Sequence, residues 1–109
     1  MADATFIQSG ASIDYTPGSA VLAGAVVVQV NLVGVACRPI AANELGSLAV
    51  EGIFSFVKTA GLQINVGDLV YWDTAPPEAN KTSASNFLIG KCTKASATTD
   101  TRVEVKMDQ

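Results

Sequence analysis

Asp68 and Asp73 bracket the run Leu69-Val70-Tyr71-Trp72, and two carboxylates so near in sequence are a natural place to look for acid–base chemistry. Their odd separation sends them to opposite faces of a strand, because strand side chains alternate with a period of two. Asp68 follows Gly67, and a Gly-Asp pair ahead of an apolar run reads as the turn that feeds a strand. The chain has no His, which removes the commonest general base and the commonest metal ligand together. Cys37 and Cys92 are its only cysteines. Two thiols without His or clustered carboxylates do not make a metal site, and they read as buried free thiols. Neither an enzyme nor a cofactor site is expected.

Three further motifs fail on their context. Ser85-Asn86-Phe87-Leu88-Ile89-Gly90-Lys91-Cys92 has the Gly-Lys of a phosphate loop, but Ser85 stands where the leading Gly belongs and Cys92 where Ser or Thr would hold magnesium. Asn80-Lys81-Thr82 fits a glycosylation acceptor, yet Met1-Ala2-Asp3-Ala4 lacks the basic start of a secretory signal, so synthesis in the cytoplasm is expected. Tyr71 and Trp72 could stack on a sugar or a base, but as adjacent strand residues they face opposite ways. One ring belongs to a core and the other to a surface or interface.

The elements that would position these residues are β-strands. Aromatic residues are scarce, with four Phe, two Tyr and one Trp, so the interior must be built from Val, Leu, Ile and Ala. Val21–Val30 and Leu32–Arg38 read as strands around a turn at Asn31, with Gly34 marking a bulge or a close backbone approach. Pro39–Gly46 reads as a loop with room for one helical turn at Ala41–Leu45. A third strand, Ser47–Val57, should bend or split at Glu51-Gly52. Leu69–Asp73 and Phe87–Thr93 follow, with a short strand at Lys81–Ser83 between them. Thr74–Asn80, containing Pro76-Pro77, reads as the most exposed and least regular segment. The chain closes on Thr101–Met107, where Val103, Val105 and Met107 alternate with Arg102, Glu104 and Lys106.

Residues 1–16 read either as an extended arm or as a first edge strand, with Phe6, Ile7, Ile13 and Tyr15 as apolar beads among polar residues. Residues 17–109 then form one all-β domain, a small barrel or sandwich of short antiparallel strands. A weak internal repeat supports two similar halves. Gly24 before Val26-Val27-Val28 parallels Gly67 before Leu69-Val70-Tyr71, Leu32-Val33-Gly34 parallels Leu88-Ile89-Gly90, and Leu48–Glu51 parallels Arg102–Val105.

Charge and hydropathy narrow the partners. A net charge of -3 with seven scattered basic residues argues against a nucleic acid. The apolar run Ala20–Ala36 is broken by Gly24, Gln29, Asn31 and Gly34, which argues against a membrane span. With only 16% charged residues, the surface suits close packing against other protein.

The order of motifs adds a resemblance that covers nearly the whole chain. Phe6-Ile7-Gln8-Ser9-Gly10, Gly24–Val28, Leu32–Ala36, Val50-Glu51-Gly52-Ile53-Phe54, Gly67–Asp73, Leu88-Ile89-Gly90 and Val103-Glu104-Val105 together resemble the tailed-phage capsid cement proteins. That family of head decoration proteins was formerly a domain of unknown function and is sometimes labelled RecA/RadA-like recombinase. The resemblance implies a structural virion protein on the capsid surface, a homotrimer whose partner is the major capsid protein, with no catalytic residues. The missing phosphate loop and basic surface speak against the recombinase label. Phe6, Ile7, Ile13, Tyr15 and Trp72 are the expected contacts with capsid or neighbouring subunit. The competing expectation is a carbohydrate- or host-binding β-module that uses Trp72 and the Thr74–Asn80 loop.

Overall fold

The strict alternation at the end of the chain produces a strand with one buried and one solvent-facing side. Val103, Val105 and Met107 are at most 2% exposed, and every residue between them faces solvent. The computed structural model describes Ala4 and residues 10–109. Among the described residues nine strands run in order: β1 (Ser12–Tyr15), β2 (Val26–Gln29), β3 (Leu32–Val35), β4 (Gly46–Ala49), β5 (Glu51–Val57), β6 (Leu69–Thr74), β7 (Pro77–Asn80), β8 (Phe87–Lys94) and β9 (Arg102–Asp108). They form two antiparallel sheets, β1-β4-β3-β2 and β5-β9-β8-β6-β7. The all-β expectation holds as a sandwich. The second sheet curls until its edge strands touch at one parallel bridge, Lys58 to Ala79, short of a closed barrel.

The sheets are built on one plan. In each, three strands lie side by side in chain order, β2-β3-β4 and β6-β8-β9, and an earlier strand pairs with the last of them: β1 with β4, β5 with β9; β7 is an addition of the second sheet, on the outer edge of β6. The correspondence reaches single backbone bonds. Gly24 N–H donates to Ala36 and Ala36 N–H to Ala25; likewise Gly67 N–H donates to Cys92 and Cys92 N–H to Asp68. Outside the strands, the bridge of Val21 to Ile40 is matched by that of Ile64 to Ser96. The two turn glycines share a left-handed backbone, with φ of 85° at Gly24 and 91° at Gly67. The repeat is therefore real at Gly24/Gly67 and Leu32–Gly34/Leu88–Gly90. Its last segment needs a different alignment, because the β1–β4 pair Ile13 with Leu48 matches the β5–β9 pair Phe54 with Val105.

A shared core joins the sheets. Val33 and Val35 from the first sheet cluster with Phe56, Val70, Trp72, Ile89, Cys92, Val103, Val105 and Met107 from the second. Phe56 and Trp72 meet with ring centroids 5.9 Å apart at a 57° tilt. A smaller cluster of Ala36, Ile40 and Leu48 gathers Ile13, Tyr15 and Val27 around it. The expected close approach at Gly34 is present: a Cβ there would lie 2.9 Å from the Leu48 Cβ.

Five details differ from the sequence reading. The third strand does split, but at Val50, so that β4 and β5 belong to different sheets. Pro77–Asn80 is not irregular. It forms β7, paired to β6 in the register Thr74 to Pro77 through Tyr71 to Asn80, with Ala79 fully buried. Proline is tolerated there because it opens an edge strand, where a missing N–H costs no ladder bond. Lys81–Ser83 is an irregular stretch that bends at Lys81 and leads into the turn at Ala84-Ser85, not a strand, and Ala41–Leu45 holds a turn with Asn43 at φ 61° instead of a helical turn. Cys92 is buried, but Cys37 is exposed. It stands one position beyond buried Ala36, the match of Cys92, where the chain has left β3 and turned into an exposed bend.

Candidate functional site

Asp68 is confirmed as a turn residue. Its carboxylate accepts the Asn65 N–H at 2.8 Å, its own N–H donates to the Asn65 carbonyl at 3.1 Å, and Lys81 approaches at 3.7 Å. Asp73 accepts the Ala75 N–H at 3.0 Å and serves the β6–β7 turn in the same way. Among the described residues, neither carboxylate is hydrogen-bonded to a nucleophilic side chain.

The aromatic pair divides as alternation requires. Trp72 points into the core and is 7% exposed, whereas Tyr71 faces outward into a groove of about 690 Å³ on the outer side of the second sheet. Leu69, Phe87 and Leu88 line the groove beside Tyr71, and Lys91, Lys106 and Asp108 line its other part. Leu69 and Leu88 are each 46% exposed, so this floor is apolar and open.

Strand register sets out the rest of this face. Leu69 lies opposite Lys91, Lys91 opposite Lys106, and Lys106 opposite Ile53, a row that crosses β6, β8, β9 and β5. Residues directly opposite share a face, so two lysines sit side by side between two exposed aliphatic residues. Arg102 and Lys94 lie farther along the same two strands. Lys94 meets Glu104 at 3.9 Å, and Arg102 donates to the Ser55 hydroxyl and carbonyl at 2.8 and 2.9 Å. Lys91, Lys94, Arg102 and Lys106, four of the seven basic residues, are thereby gathered on two adjacent strands. The scattering seen in sequence disappears on folding, because the pairing of β8 with β9 is non-local.

The groove also touches the first sheet. Asn31, in the β2–β3 turn, forms part of its lining, and the preceding Val30 is 85% exposed with φ 58°. A β-branched residue in left-handed backbone is a true outlier. Gln109 secures the seam beneath: its amide donates to the Leu88 and Ile89 carbonyls at 3.1 and 2.7 Å and accepts the Val33 N–H at 3.0 Å. Sequence reasoning missed this clamp, since a Gln carries no signal of where its amide reaches.

The other expected contacts lie elsewhere. Ile13 and Tyr15 are half-buried in β1 and pack on the small cluster of the first sheet. Phe6 and Ile7 lie outside the described residues.

A family model described as phage cement protein matches residues 7–107. The chain belongs to the phage cement protein family. Membership gives it a structural role in the virion, associated with the capsid. Neither the curated proteins nor the solved structures provide a significant match.

Proposed function

We propose that the protein decorates the outer surface of a phage capsid, binds the major capsid protein and stabilises the shell. The family match over residues 7–107 carries this reading. The open apolar face around Tyr71, Leu69 and Leu88 supports it, because exposed patches of this kind mark protein contacts. Assembly as homotrimers would multiply each contact, and many modest contacts repeated over a shell give firm attachment by avidity. The protein is made in the host cytoplasm and ends on the virion.

The arm retains a part in this proposal. Ile13 and Tyr15 anchor its base through β1, paired to β4 of the same chain, which leaves Phe6 and Ile7 as the residues that reach a capsid or neighbouring subunit. The carbohydrate-binding alternative needs Trp72 as an exposed platform, and its burial removes that support.

Mixing the purified protein with expanded capsids of its phage, followed by co-sedimentation, tests the proposal. Saturable occupancy and a higher capsid melting temperature are expected. No binding to any such shell would overturn it. Deleting Met1–Gly10, which spares β1, should lower occupancy; full occupancy without those residues would remove the arm from the mechanism.

A further inference from the structure

The row Ile53, Lys106, Lys91, Leu69 is costly to the isolated chain. Like charges directly opposite one another on a sheet repel, and exposed aliphatic side chains gain nothing from water. Among the described residues, neither lysine forms an ion pair or a side-chain hydrogen bond, whereas Lys94 and Arg102 on the same face both have partners. Acidic residues do occur nearby: Asp108 lines the groove, Glu51 lies opposite it, and Glu104 is held by Lys94. Among the described residues, the two ammonium groups are nonetheless left without a carboxylate at ion-pair distance.

Resting on the reading of this protein as a capsid-binding one, we propose that this outer face of the second sheet is its docking surface for an extended segment of the capsid shell that carries carboxylates between apolar residues. Because alternate side chains of an extended segment face one way, a carboxylate at its centre meets Lys91 and Lys106, and the apolar side chains two positions to either side cover Ile53 and Leu69. Four strands spaced about 4.8 Å apart give the row a length of about 14 Å. An extended segment of about five residues spans that distance. The exposed Val30 beside groove-lining Asn31 fits the same assignment, since strained and exposed backbone persists where a partner stabilises it.

The test is co-sedimentation with expanded capsids at several salt concentrations, using wild type, the double variant K91E/K106E, and R38E as a charge control from outside this face. All three should melt at the same temperature, because these side chains are exposed. Wild-type binding should weaken as salt rises from about 50 to about 200 mM. K91E/K106E should bind at least about tenfold more weakly at low salt and R38E as wild type. Undiminished binding of K91E/K106E, or an equal loss in R38E, would overturn this surface while leaving capsid attachment intact. Failure of the wild type to bind would instead overturn the function itself. A loss in K91E/K106E that coincides with a fall in solution mass would assign the face to contacts between copies, and so also overturn the proposal.

Discussion

At the scale of single residues, the close approaches make the sharpest predictions. A Cβ on Gly90 would stand 1.9 Å from the Lys106 carbonyl oxygen, a backbone atom that cannot step aside. Gly90→Ala should therefore cost about 3 kcal/mol or more, measured by urea denaturation. Val30 offers the opposite sign. Val30→Asn places a residue that tolerates left-handed backbone at φ 58° and should raise stability by about 1 kcal/mol, read as a higher urea midpoint at unchanged slope. Lys58 is 4% exposed, and its ammonium donates to Ser96 Oγ at 2.8 Å and to the Ala97 carbonyl at 2.6 Å. Lys58→Met keeps the aliphatic stem but leaves those acceptors unmet, so about 1–3 kcal/mol should be lost in the same assay. Much of this scale was legible in the sequence. Alternation alone separated Trp72 from Tyr71, and a Gly-Asp pair before an apolar run identified Asp68 as a turn former. Cys37 differs because nothing local marks where β3 ends, and one position beyond buried Ala36 the chain has already turned into an exposed bend.

At the scale of elements, local pattern and non-local pairing part company. The alternation of β9 could be read directly, since period two needs no knowledge of neighbours. The β7 edge strand could not, because Pro76-Pro77 is a breaker by every local rule and becomes acceptable only once β6 supplies a partner on one side. The basic row was hidden for the same reason: Lys91 and Lys106 are far apart in sequence and opposite in space. Gln109 also acts between elements, since its side chain substitutes for a missing strand partner of Val33 while tying down β8. Gln109→Ala should cost about 1–2 kcal/mol and speed amide exchange at Val33, which hydrogen-exchange NMR would show.

At the scale of the whole molecule, two similar halves share one principal core, and they share it unequally. The second sheet wraps most of that core with its own strands. The first sheet lends it one face, Val26, Val28, Val33 and Val35, and keeps only a small cluster for itself. The weak repeat in the sequence was enough to expect two halves, but not to show that one is the host and the other the cover. That inequality has a consequence for how the chain acquires its structure. The half made first during synthesis cannot bury its valine face until the half made last has collapsed, so nucleation belongs to β5, β6, β8 and β9, with β2 and β3 docking afterwards. Val105→Ala should accordingly slow refolding, while Leu48→Ala should mainly accelerate unfolding, a contrast visible in the two arms of a chevron plot.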